Sequence, residues 1–148
     1  MSLAREHWAG LIPHAGVMCL LDEVVAWDAI GLHARTRSHL RHDNPLRSDG
    51  MLRALHLCEY GAQAMAVHGG LLAQAQGRRA APGYLVSLRE VTLALARIDD
   101  LPQALEVHAR RLLGGDGHWQ YQFRIEHAHA PIASGRAAVI TSPGPGPG

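Results

Sequence analysis

The sequence predicts an α+β fold in which an antiparallel β-sheet wraps around one long central helix. The segment 51–76 is rich in Ala, Leu, Met and Gln, with apolar residues at helical spacing. Four later stretches alternate in polarity or are rich in β-branched and aromatic residues, which is typical of strands. A sheet with one apolar face needs a cover, and this chain offers a single helix for that purpose.

Local composition predicts each element in turn. The segment 16–40 contains two apolar runs, VMCLL and EVVAW, and then alternates, so we expect a short element, a turn and a strand. Residues 42–50 (HDNPLRSDG) and 77–83 (GRRAAPG) predict loops. Strands are expected in YLVSLREVTLALA, LEVHARRLLG, WQYQFRIEHAHA and IASGRAAVIT, with a hairpin turn at Gly114–Gly117. This order is that of the hotdog fold, although periodicity alone does not exclude another α+β fold.

Length and composition limit the function. The 148 residues suffice for one domain, which we place at 1–141, and the Pro/Gly-rich segment 142–148 is expected to be a disordered tail. The formal net charge is +1, without the clustered basic excess of nucleic-acid-binding proteins. No apolar run is long enough for a membrane span, and the N-terminus lacks a signal-peptide core. We therefore expect a cytoplasmic protein that binds no nucleic acid and does not span a membrane.

The stretch HLCEYGAQAMAVHGG, residues 56–70, places Glu59 and Gln63 four residues apart in an otherwise small and apolar segment. On a helix this spacing puts both side chains on one face. A buried carboxylate is costly unless it is paired or used, so Glu59 is a candidate catalytic residue. The alternatives are an exposed helix glutamate and a Gln63 that satisfies a backbone group.

The histidines of EHAHA are weaker candidates for a metal site. His127 and His129 would share one face of a predicted strand, which is the geometry of a metal-binding pair. No Cys or carboxylate cluster accompanies them, and a chain with eleven histidines contains such pairs by chance. The sequence therefore predicts no metal site.

Two stretches carry a resemblance to a known family. LIPHAGVMCLLDEVVAWD is similar to the N-terminal "LPH…LLDRV" motif of hotdog 3-hydroxyacyl-carrier-protein dehydratases, and CEYGAQAMAVHGG is similar to the "EAMAQ" stretch on their central helix. Together with the strand order, the similarity covers most of residues 11–141. The chain most resembles the divergent dehydratase subfamily of aryl-polyene pigment clusters.

The resemblance implies a catalytic carboxylate at Glu59, with Gln63 one turn later to orient it. These dehydratases also carry a catalytic His in a loop motif, "HFPGNPxxPG". An ungapped alignment from Glu59 sets residues 45–54 (PLRSDGMLRA) against this motif, so Pro45 occupies the place of the His. His42 and His39 are near in sequence but out of register, and His42 is our candidate for a local base.

The resemblance also implies a substrate and a partner. In this family each active site takes its loop His from one subunit of a dimer and its carboxylate from the other. We therefore expect either a homodimer or a heterodimer with a His-bearing hotdog dehydratase. The substrate would be a 3-hydroxyacyl thioester on the phosphopantetheine arm of an acyl carrier protein, converted to a trans-2-enoyl thioester in polyene or fatty-acid-like synthesis. No cofactor beyond that arm is expected.

This dehydration requires a base for C2 and an acid for the C3 hydroxyl. Burial of Glu59 among neighbours such as Ala62 is expected to keep its carboxyl protonated part of the time. The N–H groups at the start of the helix, at Leu52, Arg53 and Ala54, are expected to bind the thioester oxygen. Two other functions stay open: an acyl thioesterase that uses the carboxylate to activate water, and a non-catalytic subunit that stabilises a catalytic partner.

Overall fold

The computed structural model describes residues 2–12, 16–78, 83–115 and 117–141. All strands in these ranges belong to one antiparallel sheet, and one long helix packs against it, which confirms the predicted hotdog fold. The elements are β1 (Leu3–Ala4), β2 (Glu23–Trp27), β3 (Gly31–Thr36), α1 (Leu57–Ala75), β4 (Gly83–Leu93), β5 (Leu105–Gly115), β6 (His118–His127) and β7 (Ala130–Thr141). Short 3₁₀ turns lie at 5–7, 9–11, 16–18, 38–40 and 54–56.

The core lies between α1 and the inner face of the sheet. The helix buries large side chains at a spacing of three or four residues, which are Leu57, Tyr60, Ala64, Val67 and Leu71. The opposing rows on β5 and β6 alternate with outward residues, as the pleat requires, and consist of Leu105, Val107, Ala109, Tyr121, Phe123 and Ile125. A Cβ at Gly61 would lie 2.7 Å from Phe123 Cγ, so this glycine sets the close approach of helix to sheet.

The strand order is β1-β2-β3-β5-β6-β7-β4, which makes β4 an edge strand. The main sheet contacts of α1 are with β3, β5 and β6. The β4 end of the sheet therefore extends beyond the helix. Five large apolar side chains of β4 are exposed, at Leu85, Val86, Leu88, Val91 and Leu93. An apolar edge strand with open backbone groups is a surface that pairs readily with another chain.

The helix begins later than the sequence predicts, at 54–57 rather than at Met51. Residues before it are extended, because the Ala54 N–H donates to Ala96 O and the Ile98 N–H donates to Leu52 O. These partners lie more than forty residues along the chain. A helical pattern in the sequence cannot report such a long-range pairing.

The prediction of one strand through EHAHA is wrong. β6 ends at His127 and β7 begins at Ala130, and the two residues between them, Ala128 and His129, have positive φ angles of 50° and 67°. They form a hairpin turn, so His127 and His129 do not share a strand face. The predicted turn after β5 is present, with Gly115 paired to His118, and Asp116 lies outside the described residues.

The predicted tail at 142–148 lies outside the described residues. In the part of the chain that the structure describes, none of the helices combines the length and the apolar character that crossing a membrane requires. A cytoplasmic location stays a prediction.

Candidate active site

Glu59 lies in the first turn of α1, and its side chain is exposed. No described residue gives its carboxylate a hydrogen bond or an ion pair. The same helical face continues through Leu55, which is 65% exposed, and through the small residues Ala62 and Ala66. The expectation that these neighbours bury Glu59 is wrong for the protomer, because the sheet covers only the opposite face of the helix. The carboxylate is therefore available to whatever covers this face.

Gln63 is 2% exposed, and the structure gives its amide other partners than Glu59. Its Oε1 accepts the Leu20 N–H at 2.8 Å, and its Nε2 donates to Met18 O at 2.6 Å. Both ends of the amide are thus bonded to the backbone of one segment. The predicted role of orienting Glu59 is replaced by that of fixing the 18–20 segment against α1, which was the alternative interpretation of the sequence.

The loop that follows β3 is held by a buried polar network that the sequence did not reveal. Tyr60 Oη lies 2.9 Å from Ser38 Oγ and 3.2 Å from Asn44 Nδ2. Asn44 also donates to Ser38 O at 2.9 Å and accepts the Leu46 N–H at 2.9 Å. Asn44 and Ser38 are 4% and 0% exposed. The only sequence signal is the Asn-Pro pair within a loop, which indicates a turn but not its partner.

Neither candidate histidine of this loop contacts Glu59. His42 is exposed, as is Pro45 beside it in the chain. His39 is fully buried, and its Nε2 donates to Leu101 O at 2.9 Å. Burial lowers the pKa of the His39 imidazole. The protomer therefore brings no histidine of this loop into hydrogen-bond distance of the carboxylate.

Two of the three N–H groups predicted to bind the thioester oxygen already donate hydrogen bonds within the protein. The Leu52 N–H donates to Asp99 Oδ1 at 2.9 Å, and the Ala54 N–H donates to Ala96 O at 2.9 Å. Those two N–H groups cannot also bind a thioester oxygen, so their predicted role is wrong. The Arg53 N–H has no acceptor in the described part of the chain and remains open to one.

A second buried network joins α1 to the sheet. His68 is fully buried, and its Nε2 donates to Asp28 O at 2.8 Å, so its Nδ1 accepts the Tyr121 hydroxyl at 2.9 Å. Tyr121 Oη accepts the Arg111 Nε–H at 3.1 Å, and the Arg111 guanidinium lies 3.5 Å over the Trp119 ring. Burial lowers the pKa of His68 and raises the pKa of Tyr121. Each of these polar atoms is satisfied within the fold, which indicates a structural network.

The outer face of the sheet carries a stacked histidine pair. His33 and His108 pair across β3 and β5 with ring centroids 4.3 Å apart. Their Nε2 atoms are bonded to Glu106 and Glu126 at 2.9 and 3.0 Å. Within the described residues no group of three or more His, Cys, Asp or Glu side chains is placed to hold a metal ion.

Taken together, the described residues supply a carboxylate and one open N–H at the start of α1, but no histidine among them is hydrogen-bonded to that carboxylate. Among the described residues, none covers the apolar face around Glu59 or the apolar edge of β4. Such an arrangement can donate or accept a proton once another surface closes over it.

Comparisons with known proteins show the family and the fold. A family model described as ApeP-like, ApeP dehydratase, matches residues 6–145. The dehydratase heterocomplex ApeI:P from Xenorhabdus doucetiae is similar with a TM-score of 0.81 and 20% identity, over 90% of each chain. A hypothetical thioesterase with coenzyme A from Streptococcus pneumoniae gives a TM-score of 0.64 at 10% identity, over 94% of this chain and 97% of the other.

A third structure, AziG from S. sahachiroi, gives a TM-score of 0.56 at 14% identity, over 80% of this chain and 88% of the other. A comparison with curated proteins gives no match. At these identities the solved structures show a shared fold, which serves several reaction types.

Proposed function

The chain belongs to the ApeP-like family of dehydratases, and on that premise we propose that it removes water from 3-hydroxyacyl thioesters on an acyl carrier protein, giving trans-2-enoyl thioesters. In this reaction it acts as the carboxylate-bearing half of a heterodimer. The observation that carries the proposal is Glu59, which lies exposed on the uncovered face of α1 with no ion pair in the described part of the chain. A carboxylate neutralised within its own fold would have nothing to offer a substrate.

The chemistry assigns the reacting groups to two chains. The partner's histidine takes the C2 proton, the C3–O bond breaks, and Glu59 gives its proton to the departing hydroxide, so water leaves and a C2–C3 double bond forms. The Arg53 N–H donates to the thioester oxygen, where negative charge builds up. An acid at Glu59 needs shielding from water, which the partner surface provides.

Two features of the protomer support a partner. The edge strand β4 exposes Leu85 at 45% and Val86 at 52%, next to open backbone groups. The α1 face around Glu59 is apolar and open. The structure matched with a TM-score of 0.81 is a dehydratase heterocomplex, ApeI:P, which supports a heteromeric pairing here.

The test is a water-loss assay by mass spectrometry with a carrier-bound 3-hydroxyacyl thioester. The purified chain, a His-bearing hotdog dehydratase and their mixture are compared. We expect turnover to require the mixture, and Glu59→Gln to reduce it by about two orders of magnitude or more, because it removes an acid in the transition state. Glu6→Gln is the matched control, since Glu6 is another exposed glutamate outside the site.

The other results contradict the proposal in distinct ways. Release of a free hydroxy acid would identify a thioesterase. A partner that is fully active when mixed with the Glu59→Gln chain would identify a non-catalytic, stabilising subunit. Turnover by the purified chain alone would show that a histidine of this chain, such as His42, acts as the base.

A further inference from the structure

A cleft of about 620 Å³ lies beside the 16–20 segment, and Glu59 is not among its lining residues. One wall comes from the N-terminal 3₁₀ turns and the other from the chain just after the 38–40 turn. Its lining includes two arginines, Arg5 and Arg41, together with Gly10, Ile12, Val17 and Cys19. A volume of this size accommodates part of a small organic ligand.

Arg41 is under-satisfied in this cleft. Its Nε is buried and has no hydrogen-bond partner in the described part of the chain. The nearest carboxylate oxygen, Asp43 Oδ1, lies 3.9 Å from that Nε, which is too long for a hydrogen bond, and the Asp43 side chain is 65% exposed. The Nη2 atom reaches Cys19 O at 3.5 Å. The Nε atom itself is out of reach of a ligand, but the Arg41 side chain is 33% exposed, so the end of its guanidinium can donate to a ligand in the cleft.

Arg5 supplies a second cation. Its Nη2 donates to Asp22 Oδ1 at 2.8 Å and to Leu21 O at 2.9 Å, and its other donors have no acceptor among the described residues. Burial raises the pKa of the Cys19 thiol, and the positive charges of Arg5 and Arg41 oppose that rise. Both guanidinium groups therefore act on the same point, the Cys19 sulfur at the base of the cleft.

One short segment, residues 18–20, lies between the cleft and the candidate active site. Gln63 binds Met18 O and Leu20 N from one side, and Arg41 Nη2 reaches Cys19 O from the other. Gln63 is one helical turn from Glu59, an axial distance of about 6 Å. Val17 and Met18, which are 43% and 44% exposed, offer apolar surface on this same segment.

We propose that this cleft binds the phosphate of a pantetheine thioester, with the exposed end of the Arg41 guanidinium as the first cation and Arg5 as the second. The proposal rests on the function proposed above and names how the substrate is held. Arginine presents several N–H donors in a planar fork that suits phosphate oxygens. The exposed apolar side chains of the 16–20 segment contact the arm between the phosphate and the thioester. The same phosphate chemistry occurs on a carrier protein and in coenzyme A, and the test separates these sources.

The test compares substrates with and without the phosphate in the active complex. The Arg41→Gln variant should lose about tenfold or more in kcat/KM with the carrier-bound thioester, through KM, because a hydrogen bond to a charged group is lost. It should keep its kcat/KM with an N-acetylcysteamine thioester, which carries no phosphate. Arg124→Gln, on the outer sheet face and 55% exposed, is the matched control and should change neither value.

A second variant tests the cleft in case Arg41→Gln does not fold. A Cβ at Gly10 would meet nothing within 4 Å, so Gly10→Asp fits sterically and places a negative charge at the rim of the cleft. It should raise KM for the carrier-bound thioester more than Gly10→Asn does, and the difference should shrink at high salt. Parallel assays with the coenzyme A thioester show whether free coenzyme A or only the carrier arm occupies the cleft.

Equal losses with both substrates, or no loss with either, would overturn the proposal. Binding measurements by calorimetry test the cleft independently of the proposed function. If the complex shows no dehydration at all, the proposed function fails, and the comparison of 4′-phosphopantetheine with pantetheine still decides the cleft. Tighter binding of the phosphorylated form, abolished by Arg41→Gln, supports the site, and equal binding of both forms refutes it.

Discussion

Replacing Gln63 with Leu keeps the volume of a buried side chain nearly constant while removing two hydrogen bonds to the 18–20 segment. Each bond contributes about 1 kcal/mol net, and a buried N–H left without an acceptor costs about 1–3 kcal/mol more. The added apolar burial offsets part of this. We therefore expect Gln63→Leu to lower the free energy of unfolding by about 2–4 kcal/mol. For a chain of this size, each kcal/mol lost lowers Tm by roughly 2–4 °C.

The assay is urea unfolding followed by circular dichroism at several protein concentrations, since a dimer would make stability concentration-dependent. Gln74→Leu is the matched control, because Gln74 is exposed on the same helix and should change stability by no more than about 0.5 kcal/mol. A loss of stability below about 1 kcal/mol for Gln63→Leu would refute the assignment, since removal of two buried hydrogen bonds should cost more than that.

The Gln63→Glu variant separates the two bonds. A carboxylate still accepts the Leu20 N–H but places a second oxygen against Met18 O, where the amide donated. We expect a larger loss of stability near neutral pH than in acid, where a protonated carboxyl can donate to that carbonyl. A loss that does not change with pH would contradict the donor role of Nε2.

Three further results follow from packing and charge. Gly61→Ala should lower the free energy of unfolding in urea by about 1–3 kcal/mol, because its Cβ would lie 2.7 Å from Phe123 Cγ. A Cβ at Gly69 would meet nothing within 4 Å, so Gly69→Ala should be neutral or stabilising by up to about 1 kcal/mol in the same assay. The pKa of the Asp99 carboxyl is held far below its usual range by the arginine two positions earlier and by a backbone N–H. The stabilisation that the ionised carboxylate provides is therefore present above about pH 4 and is lost in stronger acid. The stability difference between wild type and Asp99→Asn should therefore shrink as the pH falls below about 4. Burial lowers the pKa of His68 in the fold, so the unfolded chain binds the proton more readily. The free energy of unfolding should therefore fall from about pH 7 to about pH 5 in urea titrations.

The sequence was sufficient for the fold because the main signals are local. The helical spacing of Leu57, Tyr60 and Ala64 and the alternation in β5 and β6 both follow from burial of one face. The order of strands in the sheet, with β4 at the edge beside β7, was not predictable from such patterns. Strand neighbours depend on pairing across long chain separations.

The errors at the candidate site have the same origin. Glu59 and Gln63 lie on one helix, as their spacing predicts, but the partners of Gln63 lie 43 and 45 residues away. The Leu52 N–H is taken by Asp99, 47 residues later. The EHAHA turn was missed because this stretch contains no Gly, Asn or Asp, the residues that usually mark a turn with positive φ. Local sequence indicates which residues are candidates for chemistry, and long-range contacts decide what each one touches.

The proposed heterodimer explains why the chain keeps Glu59 while its own loop offers no base there. In a homodimer, both sites would combine Glu59 with a loop that has Pro45 at the histidine position and a buried His39 bonded to Leu101 O. In the proposed heterodimer, a His-bearing chain would complete the site that contains Glu59. The same chain would cover the open face of α1 and the exposed edge of β4. The proposal thus gives the apolar edge and the unpaired carboxylate one common explanation, a second chain that brings both a surface and a base.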